Sequence, residues 1–250
     1  MNGTLDEQIF KLINIYNYSK KFNKEIVFDD NNINICIKKI LEKYNNIKII
    51  NHEEFNKIPF LYYIENYYNK NNIIPFIEGN LYIRGFFIEH INYDDDIINF
   101  IKNLLINENE YYNEAINIIN NIKNISKEND FITIYYKKPN IYDINEPDIK
   151  YYNSAYELLN SNNKFILILS DDIEWCKRLL SKNKKFYFIE NKNECVQLII
   201  MILSKILICG KSYLSYLGAY LDNTKEYVIF PNILNINKNN NNNKSIYIDI

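Results

Sequence analysis

FILILSDDIEWCKRLL, residues 165–180, passes from an apolar run into two adjacent aspartates and then into an amphipathic stretch that carries the chain's one tryptophan, Trp175. Residues 165–169 are short, apolar and β-rich and read as a buried strand, and 172–181 read as the helix that follows it. A carboxylate at the end of a buried strand is costly unless it is paired or used. Asp171, three residues before Glu174, fits a capping box that would satisfy free amides of a helix starting near Asp172. The other use of the same carboxylate is a ligand contact, and the surrounding chain bears on the choice.

Outward from this stretch, the same alternation fills the second half of the sequence. Strands are predicted at 131–136, 165–169, 186–189, 206–209 and 226–230, with helices at 151–160, 172–181, 194–204 and 212–221 between them. Such alternation implies parallel βαβ units and a sheet covered on both faces, in which ligands bind beyond the carboxyl ends of the strands. Ser170, Asp171 and Asp172 fall at such an end. The first half is less regular. A helix over 6–21, with Ile9, Phe10, Ile13 and Tyr16 at helical spacing, precedes a strand at 25–28, a helix at 33–44 and a strand at 47–50. A tyrosine-rich irregular stretch follows to about Asn80, then a strand at 81–87 and a helix at 94–106. The Asn-rich run 235–244 predicts a disordered connector to the short IYIDI end.

Composition narrows the function classes. Lys+Arg 29 against Asp+Glu 31 leaves a net charge of -2 with no basic stripe, so nucleic acid is not an expected partner. With 47% hydrophobic residues in 250, the chain can fill one large core or two modest ones. Abundant Asn, Ile, Lys and Tyr beside 5 Gly and 5 Pro have the character of AT-rich coding. Cys36, Cys176, Cys195 and Cys209 lack zinc-site spacing and disulfide-scaffold density, and read as free buried thiols suited to a reducing compartment. The first ten residues lack a basic-then-apolar leader, and the greasiest run, 198–210, is broken by Ser204 and Lys205. The expectation is a soluble or cytoplasmic chain without signal peptide or membrane span.

Several short constellations carry possible chemistry. Gly210-Lys211-Ser212 invites a phosphate loop, but Lys205 stands where that loop needs its first glycine. What remains is a strand, a small residue, and the hydroxyls of Ser212 and Ser215 opening a helix, which is either an anion site or a plain cap. Lys137 and Lys138 directly follow the 131–136 strand, where they are a solvated face or point charges toward phosphate. His52 and His90 stand in no metal-binding spacing and read as surface or partner-satisfied histidines. No GxSxG nucleophile is present, and the adjacent pair Asp171-Asp172 is not the spaced DxD of metal-using sugar transferases.

Taken in order, these stretches resemble the α-1,2-fucosyltransferases, glycosyltransferase family 11. Ser170, Asp171, Asp172, Trp175, Cys176 and Lys177 match the family's S-D-D-x-x-W-C-K, and KSYLSYLGAYL at 211–221 is similar to its N-S-S-F-S-W-W-G-A-Y-L. The opening GTLDEQIF is similar to G-G-L-G-N-Q-M-F, keeping Gly3, Leu5, Gln8 and Phe10, and LYIRGFF keeps Gly85 and Phe87 of a central segment. The resemblance covers about residues 3–234. The family's H-x-R-R-G-D is represented by Tyr135-Tyr136-Lys137-Lys138-Pro139-Asn140, which keeps charge and loses the arginine fork and the aspartate. Met1 leaves no room for the family's first strand, as a late-assigned start or a true truncation would.

The resemblance implies a GT-B-like α/β fold of two facing Rossmann-type domains with mainly parallel sheets: an N-terminal, acceptor-side domain over 1–129, a donor domain over 130–234 and an Asn-rich tail over 235–250. It implies transfer of fucose from GDP-fucose to a galactose hydroxyl of a glycan, with inversion, without metal and with no cofactor beyond the donor. Lys137 and Lys138 would stabilise the leaving diphosphate, Tyr135, Asp171, Ser212 and Ser215 would contact the donor, and no base is assigned. Two alternatives stay open: a catalytically impaired sugar- or nucleotide-binding relative, and a transferase for another nucleotide sugar.

Overall fold

Leu5, Ile9, Phe10, Leu12 and Ile13 are buried along one side of α1 (Leu5–Phe22), the face that helical spacing assigned to the core. Its start is held by Thr4, whose amide donates to Glu7 Oε2 at 3.1 Å, and it ends at Asn23 in the left-handed region with φ 50°. The computed structural model describes residues 4–42, 47–64, 78–84, 95–107, 109–126, 131–138, 149–159, 164–180, 186–232 and 245–248. Gly3, Gly85, Phe87, His90, Pro139, Asn140 and the 235–244 run lie outside them. The chain divides into two compact units, residues 1–105 and 106–250.

In the first unit, β1 (Ile26–Asp29) leads through a 3-10 turn and α2 (Ile35–Leu41) to β2 (Ile47–Ile50), and the two strands pair in parallel with Asp29 opposite Ile50. The stretch expected to be irregular contains α3 (His52–Asn56) and β3 (Leu61–Ile64), which pairs in parallel with β4 (Leu81–Arg84). α4 (Asp95–Ile106) follows with Ile97, Ile101, Leu104 and Leu105 buried.

The second unit opens with α5 (Glu110–Ser126), a helix that periodicity left unassigned and that lies before the domain boundary expected near residue 129. It packs on α8 (Glu194–Leu203), which is why it belongs with the second unit. Between and after them run β5 (Phe131–Tyr136), α6 (Ile149–Leu158), β6 (Phe165–Ser170), α7 (Ile173–Leu180), β7 (Phe186–Phe188), β8 (Ile206–Ile208), α9 (Tyr213–Tyr220), β9 (Tyr227–Pro231) and β10 (Ser245–Ile248). The six strands form one sheet in the order β10-β9-β8-β5-β6-β7, with every pair parallel. The chain starts in the middle, builds outward to β7, returns beside β5 and builds the other way. That reversal makes the β5/β8 junction a topological switch point. The IYIDI end, expected as a tail, supplies the edge strand β10.

Both faces are covered. Ile132, Ile134 and Tyr136 of β5 join Ile166 and Ile168 in a core under α6 and α7, while strand alternation turns Thr133 and Tyr135 to the opposite face. On that face Thr133 Oγ1 meets Ser204 Oγ at 2.6 Å, tying β5 to the end of α8. α8 is buried all round from Cys195 to Ile202. Gly218 of α9 permits its close approach, since a Cβ there would lie 2.5 Å from Met201 Cβ. Tyr216 stacks on Phe230 at 5.0 Å, and its buried hydroxyl has no partner. Tyr216→Phe is therefore expected to leave the melting temperature unchanged or raise it slightly, because it removes an unsatisfied polar atom and keeps the ring. A loss of several degrees in a calorimetric scan would show that the hydroxyl is bonded in solution.

Candidate functional site

The β5/β6 register determines what meets at the sheet edge. Phe131 lies opposite Phe165 and Tyr136 opposite Ser170, so the residues that leave the two strands emerge level. Lys137 Nζ lies 2.7 Å from Asp171 Oδ2, and Lys138 Nζ lies 2.6 Å from Asp172 Oδ2. The Lys138 amide also donates to Asp171 Oδ1 at 2.9 Å. Two cations and two anions thus form a closed quartet of no net charge where two lysines facing phosphate were expected.

Of the two aspartates, Asp172 is the one that caps the helix. α7 begins at Ile173, so Asp172 is its cap: Asp172 Oδ1 accepts the Trp175 amide at 3.0 Å, and the Asp172 amide donates to Ser170 Oγ at 3.0 Å. Asp171, expected to cap with Glu174, makes no such bond and instead spans the ends of β5 and β6. The Lys138 ammonium, and after it the Trp175 amide, hold the Asp172 carboxyl below its ordinary range. A depressed carboxyl contributes stability above its unfolded value, and this contribution is lost as pH falls through the folded value.

On the β8 side the approach is tight. A Cβ on Gly210 would lie 2.6 Å from the Tyr135 carbonyl oxygen, 2.8 Å from Tyr152 Oη and 3.1 Å from the Lys137 nitrogen. Only glycine lets the chain leave β8 this close to the end of β5. The Lys137 amide donates to Tyr152 Oη at 3.3 Å, and Tyr151 Oη lies 2.7 Å from the Cys209 carbonyl and 3.2 Å from that of Ile229. Two adjacent tyrosines of α6 therefore seal the floor of the switch point. The two tyrosines were not singled out from the sequence; Gly210 was, as the small residue between a strand and the hydroxyls that open a helix. Gly210→Ala should cost about 1–3 kcal/mol by overpacking and displace Lys137 with it. Paired melting and GDP-binding measurements check this, since an unchanged melting temperature would mean that the loop gives way.

The remaining expected residues separate by burial. Ser212 stands at the start of α9 and makes no side-chain cap bond. Ser215 is fully buried, and its hydroxyl holds the loop together, 3.0 Å from the Gly210 carbonyl and 2.9 Å from that of Ser212. Tyr135 is buried on the sheet, and its backbone carbonyl lies at the edge beside Gly210. All four cysteines are free and buried, and burial pushes the Cys176 thiol up to about 11. Among the described residues no three His, Cys, Asp or Glu side chains gather as a metal site, and no helix is long and apolar enough to cross a membrane.

No family model matches the chain. The NodZ α-1,6-fucosyltransferase in its GDP-fucose-soaked crystal superimposes with TM-score 0.61, covering 95% of this chain and 94% of that one at 7% identity. Selenomethionine NodZ from Bradyrhizobium gives 0.60, again over 95% and 94%, at 9% identity. The fold is GT-B. An α-1,2-colitosyltransferase of Escherichia coli is 34% identical over 80 residues, which is 30% of this chain and 28% of that enzyme's length. Within the GT-B fold, the second unit supplies a six-stranded parallel sheet of dinucleotide-binding order, and the quartet of Lys137, Lys138, Asp171 and Asp172 stands at the carboxyl ends of β5 and β6, next to its switch point.

Proposed function

We propose that the chain is a glycosyltransferase that moves fucose, or a closely related sugar, from a GDP-linked donor to a glycan hydroxyl, with inversion and without metal or further cofactor. The observation that carries the reading is the placing of Lys137, Lys138 and Asp171 beside a switch point from whose other strand α9 starts without a side-chain cap, in a fold shared with a fucosyltransferase whose crystal was soaked with GDP-fucose. Lys137 and Lys138 would balance charge on the departing diphosphate, and Ser212 with the first amides of α9 would hold phosphate oxygens. Asp171 would accept from the guanine edge through lone pairs that its lysine contacts leave over. Because Lys137 rests on Asp171, donor entry requires the ammonium to turn from carboxylate to phosphate.

Two observations favour neighbouring readings. Resemblance to a colitosyltransferase supports a donor sugar other than fucose. Pairing of both lysines with aspartates supports a weakened relative that binds nucleotide without turnover. A thermal-shift series with GDP, UDP and their sugars, followed by product analysis with fucose and colitose donors, separates the three. A ligand at ten times its Kd stabilises by about 1.4 kcal/mol, roughly 3–6 °C for a chain of this size. GDP-selective shifts with transfer support the proposal, shifts without transfer support the weakened relative, and no shift with any guanine nucleotide at 10 mM (roughly the weak-binding limit) sinks it.

A further inference from the structure

We infer that Gln197 is a positioning residue for Asp171, its buried amide fixing the peptide from which the guanine-binding carboxylate is hung; this rests on the donor reading above. The need for it follows from the register of β6 and β7. Their ladder ends at Ile168 opposite Phe188, with one more bond from the Ile189 amide to the Ile168 carbonyl at 2.9 Å. β6 runs on to Ser170, while β7 stops at Phe188. Carbonyls two residues apart on a strand point the same way, so the Ser170 carbonyl faces the side that β7 has left. Ser170 is 4% exposed, and a buried carbonyl without a donor is costly.

The donor comes from the helix after β7. Gln197 is the fourth residue of α8 and is buried, and its Nε2 donates to the Ser170 carbonyl at 3.3 Å and to the Asn191 carbonyl at 2.6 Å. One side-chain amide thus bridges the exits of two neighbouring strands. The Asn191 end is itself anchored: its side-chain amide donates to Glu114 Oε1 of α5 at 2.7 Å, and its Oδ1 accepts the Asn193 amide at 2.8 Å. Asn193 in turn caps α8 by accepting the Cys195 amide at 2.9 Å. The clamp therefore runs from a fixed loop to the residue directly before Asp171.

What it holds is the root of the aspartate pair. Ser170 Oγ accepts the Asp172 amide at 3.0 Å and lies 3.4 Å from Asp171 Oδ1, which takes the Lys138 amide at 2.9 Å. Gln197 fixes the peptide before Asp171, and Lys138 fixes the carboxylate after it. Filling the core does not require a primary amide, since every other residue of α8 from Cys195 to Ile202 is apolar and buried. Without the amide the Ser170 carbonyl is free to turn, and Asp171 turns with it, out of the direction in which its lone pairs meet a base edge. The phosphate contacts assigned to Lys137 and Ser212 follow β5 and β8 and do not run through that peptide.

Calorimetric titration of GDP and of inorganic pyrophosphate into the unaltered chain and into Gln197→Met tests this, because methionine keeps the volume and removes the donors. GDP is expected to bind roughly tenfold more weakly, as the loss of one aligned hydrogen bond gives, while pyrophosphate, which offers no base, keeps its Kd within about twofold or binds slightly more tightly. A merely structural glutamine would lower the melting temperature and move both ligands together. GDP bound as by the unaltered chain, or weakened no more than pyrophosphate, overturns the inference and leaves the donor reading intact. If the variant does not fold, ¹⁵N–¹H spectra of the unaltered chain decide. Saturating GDP is expected to shift the Gln197 side-chain amide protons and saturating pyrophosphate to leave them; the same response to both ligands overturns the inference. An unaltered chain that binds neither ligand removes the donor reading, and this inference with it.

Discussion

Lys137→Ala is expected to abolish the stabilisation that GDP confers at concentrations that raise the melting temperature of the unaltered chain by several degrees. A charge-assisted contact to phosphate is worth about 1.5–3 kcal/mol, which corresponds to roughly 10- to 150-fold in Kd. The variant itself should fold, because an ion pair whose partners are 36% and 33% exposed contributes little to stability. Its counterpart Asp171→Asn sharpens the assignment when inorganic pyrophosphate is compared with GDP. Loss of Lys137 weakens both ligands. Loss of the Asp171 charge frees Lys137, so pyrophosphate should bind more tightly while GDP binds less tightly for want of its guanine contact. Tighter binding of both ligands would return Asp171 to spanning the ends of β5 and β6.

The largest effect on stability is expected at Lys225. Its side chain is buried, and its ammonium donates to the carbonyls of Met201, Ile202 and Ser204 at 2.7, 2.8 and 2.9 Å. These carbonyls lie at the end of α8, where a cation also meets the negative end of the helix dipole; that of Met201 also accepts the Ser204 amide at 3.3 Å. Lys225→Met keeps most of the volume and leaves the carbonyls buried without that donor. It should cost about 3 kcal/mol, or roughly 6–12 °C in Tm. Because Ser204 also ties α8 to β5 through Thr133, loosening should reach the strand that carries Lys137. A scan within about 2 °C of the unaltered chain would mean that water enters and replaces the ammonium.

Much of the second unit was legible because its strands are short apolar runs with no competing period. FITIYY and FILIL are β-rich runs bounded by charged or polar residues and too short for a helix. α5 was missed because Tyr111, Ala115, Ile119 and Ile122 are spread through an Asn-rich segment in which isoleucine also marks the outer face. β3 was missed because LYYI sits in a tyrosine-rich stretch in which no alternation marks it off. At the site, the residue types were visible and their pairings were not. Which of two adjacent aspartates caps a helix depends on a one-residue shift of its start, below what periodicity resolves. The Lys138–Asp172 pair spans 34 positions and follows from the equal offset of β5 and β6, which only their register supplies. Ser215 and Tyr135 are both buried, which their place near an element end does not reveal.

Trp175 gives the cap on α7 a practical consequence. The chain's one indole is half-buried against the core, and its own amide is bound by Asp172, whose other oxygen holds Lys138. Any ligand that draws the lysines away from the aspartates changes the charge and hydration beside a single chromophore. The protein therefore carries its own optical reporter of occupancy: its emission wavelength should respond to nucleotide without a dye, a label or an engineered residue.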